Sequence, residues 1–289
     1  MILIYKYYVY FQNIYIIQLV QISMNKIIKE QKLREFAKSV INDPIYKEEI
    51  TYFLRYFKLN EEQLIQEYVN YDLDVFDYEN EIYESIVMRL VLHIHNLLNG
   101  SWHQDRQNTI LEFLKKIDFE TAVDVGFGVP TKYLRNYLIN KSTKKFTLVD
   151  LYDSAFDFAK VFLSKLSSSY DKTINFKKVD MNDMKYVGDY DVFLFQDSIE
   201  HTKDPTAYLK KTVSLSPKNS KFILSLPIGP AVPSHYIEFK DKETAIRWLE
   251  NSNLKIEESK DVFVNPKVDL FASDLDDEFY NFIVLCSKK

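Results

Sequence analysis

The chain has 289 residues, 46% of them hydrophobic and 27% charged, with a formal net charge of -5. That balance supplies ample core material and excludes a largely disordered chain, and the acidic excess argues against a general grip on nucleic acid, which needs a basic surface. One cysteine, Cys286, leaves no internal disulfide and no cysteine-based zinc cage, and with only 5 glycines each one carries information.

Residues 1–23 read MILIYKYYVYFQNIYIIQLVQIS. The run is apolar and aromatic, but Lys6, Gln12, Asn13, Gln18 and Gln21 interrupt it. A membrane-spanning helix wants about 20 residues nearly free of such groups. A signal peptide wants a basic start and a small-residue cleavage site, and neither is clear. Three readings stand: an upstream in-frame extension with Met24 as the usual start, a packed or membrane-touching helix, and a targeting segment.

From Met24 the pattern is helical. Leu33, Phe36, Ala37, Val40 and Ile41 recur at helical spacing, and Pro44 breaks that helix. Asn60 and Gln63 read as a capping box before Leu64 and Ile65. A long helix is expected over 80–99, stopped by Gly100, and another over 105–116. No Lys or Arg falls between Lys58 and Arg89, while Glu61, Glu62, Glu67, Asp72, Asp74, Asp77, Glu79, Glu81 and Glu84 do. This is read as a solvated acidic face, with a lid that attracts a cationic substrate as the sharper alternative. His93 and His95, two apart on the expected helix, point to different faces and cannot jointly grip a metal. Trp102 and His103 are placed in a polar turn before the helix over 105–116 and read as surface packing, with closure over a bound ligand as the sharper alternative. No metal constellation emerges.

From Glu120 the rhythm becomes strand, turn, helix. Strands are expected at 121–125, 146–149, 174–179, 192–195 and 221–226, the last ended by Pro227. Helices are expected at 130–139, 154–166 and 241–251, and another begins with Asp204 as cap and Pro205 at the first helical position. Two more strands are expected at 256–264 and 281–286. The alternation implies an α/β fold with a mainly parallel sheet and helices on both faces.

Ligands of such sheets bind beyond the carboxyl ends of the strands. Those ends carry Asp124, Gly126 and Gly128, then Asp150, then Asp180, then Gln196, Asp197, Ser198, Glu200 and His201, and finally Gly229 with His235 beyond it. Two glycines in a tight strand-to-helix turn let the backbone approach a ligand. Asp150, about 20 residues past that turn, suits a ribose diol, so a nucleoside-containing cofactor is expected. A dinucleotide fingerprint wants a third small residue where Thr131 stands, and Pro130 removes a backbone N–H that a pyrophosphate cradle needs. S-adenosylmethionine carries no phosphate, and its cationic sulfur fits the acidic residues Asp124 and Asp180.

The ordered series DVGFG, LVD, VDMND and FLFQDSIEHTKDP resembles the class I S-adenosylmethionine-dependent methyltransferases, and within them the small-molecule methylases related to quinone-biosynthesis enzymes. The resemblance spans roughly 110–289. It implies a Rossmann-like, seven-stranded, mainly parallel sheet with an added antiparallel hairpin, preceded by an all-helical cap over 24–109 that shapes the acceptor pocket. It implies that Asp124, Gly126 and Gly128 form the cofactor loop and that Asp150 holds the ribose hydroxyls. Leu151 or Tyr152 would lie beside the adenine, Asp180 would accept from the adenine amino group with Met181 flanking it, and Gln196, Asp197 and Ser198 would line the floor below the methyl group. Val129-Pro130 departs from the third glycine usual in the family.

The implied reaction is in-line methyl transfer to an oxygen or nitrogen of a small molecule. His235 and His201 are the candidate general bases, because imidazole titrates near pH 7; a structural role is the alternative for His201. The partner expected is a small-molecule acceptor in the cytoplasm, with membrane contact through 1–23 the less favoured option. A nicotinamide-dependent oxidoreductase, which Thr131 and Pro130 disfavour, and a non-catalytic cofactor-binding scaffold remain as alternatives.

Overall fold

The computed structural model describes residues 27–72, 84–230, 234–265 and 279–289. The 1–23 segment and most of the acidic run after Asp72 lie outside the described residues. The chain divides into two compact units, Met1–Val75 and Phe76–Lys289.

In the first unit, residues 27–42 form α1, followed by α2 (Pro44–Phe57) and α3 (Glu61–Asp72). Leu33, Ala37, Val40 and Ile41 are buried along one face of α1, as their spacing dictates. Pro44 separates two helices by starting the second one: Asp43 caps α2, its side chain accepting from the Ile45 N–H at 2.8 Å. The capping box of α3 is reciprocal. Asn60 N–H donates to Gln63 Oε1 and Gln63 N–H donates to Asn60 Oδ1, both at 2.9 Å.

The second unit is built on a seven-stranded sheet in the order β3-β2-β1-β4-β5-β7-β6. The strands are β1 (Thr121–Val125), β2 (Lys145–Asp150), β3 (Ile174–Lys178), β4 (Val192–Gln196), β5 (Lys221–Ile228), β6 (Leu254–Phe263) and β7 (Tyr280–Lys288). All pair in parallel except β7, which runs antiparallel to both β5 and β6. Helices α4 (Ile86–Leu97), α5 (Trp102–Lys116), α6 (Lys132–Ile139), α7 (Asp153–Leu166), α8 (Pro205–Leu215) and α9 (Lys242–Asn251) belong to this unit. The core between sheet and helices includes Val123, Phe193, Phe195, Leu224, Trp248 and Phe282. From β1 the chain winds outward through β2 and β3, then returns to β4 on the other side of β1. The order therefore reverses between β1 and β4, where ligands of such sheets bind.

Several boundaries differ from expectation, and caps explain most of them. The helix expected over 80–99 begins at Ile86, because Ser85 caps it by accepting from the Met88 N–H; residues 80–83 lie outside the described residues. The helix expected from 105 begins at Trp102, capped by Ser101 through the Gln104 N–H at 3.1 Å. Trp102 and His103 are thus buried in its first turn, not set in a surface turn. Helix α6 begins at Lys132, two residues past Pro130, and its Lys132 N–H donates to Gln107 Oε1 at 2.7 Å. Strand β5 passes through Pro227 to Ile228. The last β4–β5 pair is Gln196 with Ser225, so beyond it β7 is the neighbour with which β5 pairs, and the missing proline N–H costs no bond toward β4. No helix among the described residues is long and apolar enough to cross a membrane.

Candidate functional site

The turn after β1 holds Gly126 at φ 72° and Gly128 at φ 60°, left-handed conformations that side chains resist. A Cβ on Gly126 would lie 2.6 Å from the Ser198 Cβ, so the turn presses directly on the loop after β4. The same Cβ position is 3.4 Å from Met181 Cε, which brings the loop after β3 to the same spot. Ser198 is buried and donates its hydroxyl to the Val125 carbonyl at 2.7 Å. The loops after β1, β3 and β4 thus meet beside the switch between β1 and β4.

Asp150 closes the group from the β2 side. Its Oδ2 accepts the Gly128 N–H and its Oδ1 accepts the Tyr152 N–H, each at 3.0 Å. It is 7% exposed, with Leu151 at the rim at 36%. The Gly126 and Phe127 amides both donate to the Val149 carbonyl, at 2.8 and 3.2 Å. The turn's first three N–H groups are therefore already bonded within the protein.

Asp180 stands partly exposed at the end of β3, its side chain accepting from the Asn182 N–H at 2.8 Å. Asp124 behaves differently from the other strand-end acids. It is buried in β1 and accepts on Oδ2 from the Tyr133 hydroxyl and from Gln196 Nε2, both at 2.6 Å. Burial pushes its carboxyl up to about 7, although those two hydrogen bonds and the Arg106 charge pull the other way. Its side chain and that of Gln196 thus brace the sheet beneath the turn. Asp197, in a left-handed conformation at φ 46°, accepts from Arg106, from the Ser225 hydroxyl and from Asn281 Nδ2. Its carboxylate is engaged by its own chain.

Two arginines escaped the sequence reading. Arg89 is 2% exposed; its Nε donates to Ser154 Oγ at 3.2 Å and its Nη1 to the Gly128 carbonyl at 3.3 Å, with Nη2 3.8 Å from Asp150 Oδ1. Arg106 pairs with Asp197 and lies over the Trp102 ring. The signal for Arg89 was available: it is the one Lys or Arg in the apolar run IVMRLVLHIHNL, and a lone cation on such a face asks for a partner.

The two candidate bases are brought together. The rings of His201 and His235 lie 4.9 Å apart, edge to face. Burial lowers both, His235 to about 4 with the neighbouring His201 adding to the effect, so both are neutral at pH 7. The Ser234 carbonyl lies 3.2 Å from His201 Nδ1 and can only accept, which assigns the proton to Nδ1 and leaves Nε2 with its lone pair. Glu200 beside them is fully buried, and among the described residues neither carboxylate oxygen meets a donor other than its own backbone amide. Burial raises it to about 7.

The sequence matches no protein-family model and no curated protein. Solved structures do match by shape. The 4+2 cyclase SpnF aligns over 66% of this chain and 83% of its own, at 11% identity and a TM-score of 0.50. The small RNA methyltransferase HEN1 aligns over 64% of this chain but only 25% of its own, at 16% identity and a TM-score of 0.51. The Burkholderia thailandensis 1,6-didemethyltoxoflavin-N1-methyltransferase, solved with S-adenosylhomocysteine, aligns over 66% and 80% at 16% identity and a TM-score of 0.48. With its strand order, its antiparallel β7 and its shape shared with two of these proteins, the chain has the Rossmann-like fold of class I methyltransferases.

Proposed function

We propose that the chain is an S-adenosylmethionine-dependent methyltransferase acting on an oxygen or nitrogen of a small molecule. The observation that carries this reading is the use made of the turn after β1. Its amides at 126, 127 and 128 are spent on Val149 and Asp150, and Pro130 has none, so no row of N–H donors faces outward to cradle a phosphate. What the site offers is a carboxylate at each of two strand ends, Asp150 and Asp180. Each oxygen of Asp150 accepts one backbone N–H and keeps capacity for a ribose hydroxyl. A nucleoside bearing a cationic sulfur fits that donor and acceptor set, and a dinucleotide does not. The fold alone leaves the reaction open, since its shape is shared by a cyclase and a methyltransferase.

Under this reading Gly126 and Gly128 bring bare backbone to the methionine part, Asp150 holds the ribose, and Leu151 and Tyr152 flank the adenine. Asp180 and Met181 meet the adenine edge, and Ser198 floors the site. Asp124, Gln196 and Asp197 act through the turns they brace. The bound cofactor supplies a methyl group on a good leaving group; the protein's part is to hold the acceptor close and in line. His235 and His201, neutral at pH 7, would take the proton from a nucleophile that carries one.

Isothermal titration with S-adenosylmethionine and S-adenosylhomocysteine tests the reading. Binding of both is expected, with no change in the fluorescence of reduced nicotinamide. Folded protein that binds neither would falsify it.

A further inference from the structure

We infer that Glu200, His201 and His235 form a binding site for one divalent transition-metal ion. One ligand atom from each residue lies within 4.8 Å of the others. Donors on a single ion, at bond lengths of about 2.0–2.2 Å, sit roughly 3–3.5 Å apart, so modest side-chain rotations close the set. Two imidazoles and one carboxylate suit zinc, manganese, iron or cobalt, and not magnesium or calcium, which prefer oxygen throughout.

Three independent features prepare the site. Glu200 is fully buried; among the described residues neither oxygen accepts a hydrogen bond except from its own amide, and the one cation acting on it, Arg106, is engaged by Asp197, so the carboxylate has room for a further counter-charge. The Ser234 carbonyl holds the His201 proton on Nδ1 and so presents Nε2 as a ligand, the arrangement by which an outer partner orients a metal-binding histidine. The Tyr236 N–H donates to the Glu200 carbonyl at 2.8 Å, which fixes the segment carrying His235 against the short helical turn Ile199–His201. Three protein ligands leave part of the coordination sphere to solvent or to an acceptor oxygen. An ion there would occupy the lone pairs that otherwise serve as proton acceptors, and would itself lower the pKa of a bound hydroxyl. The inference goes beyond the methyl-transfer reading and is tested without the cofactor.

The experiment uses the full chain, stripped with a chelator and then titrated by calorimetry with ZnCl2 and MnCl2, and with CoCl2 followed by visible absorption. One ion per chain is expected, with cobalt d–d bands and a metal-dependent rise in Tm. His235→Ala and the near-isosteric Glu200→Gln should each weaken binding by about tenfold or more while keeping the wild-type circular dichroism. Folded wild-type chain that binds none of the three ions overturns the inference. So does undiminished binding by either folded variant.

Discussion

The backbone N–H of Gly128 donates to Oδ2 of Asp150 at 3.0 Å, adding a side-chain bond to the two backbone bonds that tie the turn after β1 to Val149 of β2. Asp150 is therefore both a candidate ribose acceptor and a brace for the turn. Asp150→Ala should weaken S-adenosylhomocysteine binding by about 1–3 kcal/mol, which is roughly 5-fold to 150-fold. Asp150→Asn, which keeps an acceptor oxygen, should lose less. Calorimetric titration reads the difference; equal affinity in Asp150→Ala and wild type would count against the assignment.

Gly126 leaves no space for a side chain. Gly126→Ala should destabilise the protein by about 1–3 kcal/mol, from the positive φ together with the 2.6 Å approach to Ser198. Adding Ser198→Gly removes the collision and leaves the backbone strain, so the double variant should recover part of the loss. Urea unfolding of the single and double variants separates the two contributions.

Arg89 balances a buried carboxylate while donating to Ser154 and to Gly128. Arg89→Met leaves Asp150 without that charge, and removing one partner of a buried pair costs about 3 kcal/mol. Arg89→Lys keeps the charge but lacks the fork that reaches both partners, so it should fall between. Wild-type melting of Arg89→Met would show that the guanidinium contributes nothing there.

Asp124 gives stability a pH dependence of defined sign. Its carboxyl is held at about 7 in the folded protein, against 3.8 in the free side chain. The folded state therefore binds more protons between those values. Its contribution is fully present below about pH 4 and falls as pH rises toward 7, levelling beyond. Asp124→Asn keeps the acceptor for Tyr133 and cannot titrate, so it should flatten that part of the slope. Urea midpoints compared near pH 5 and pH 8 test this; an unchanged slope would show that Asp124 titrates normally.

The strand ends were legible because their chemistry is local. Gly126, Gly128, Asp150 and Ser198 each follow an apolar run, and the pairing of β1 with β2 and β4, and of β2 with β3, brings those strand ends and Met181 together. The Asn60–Gln63 cap was equally plain, since its partners are three residues apart. Direction was harder. Sequence spacing puts Asp124 and Asp197 at strand ends, but whether a carboxylate faces outward depends on distant residues such as Tyr133, Arg106 and Ser225. The starts of α4 and α5 were missed because Ser85 and Ser101 look like ordinary loop serines until the bond to an N–H three residues on is seen. The Glu200, His201 and His235 cluster was hidden because the turn to which the Glu200 carbonyl binds lies more than thirty residues away.

The order of the sheet also has a consequence for biosynthesis. β6 joins it only through β7, and β7 also covers the outer side of β5. While the ribosome is still translating the stretch before Tyr280, β6 has been made and packs on α9 and α5 but has no strand to pair with, and the outer side of β5 presents bare amides and carbonyls. The nascent chain is most prone to sticking to its neighbours in that interval, so the half-finished sheet is where a chaperone would be needed most.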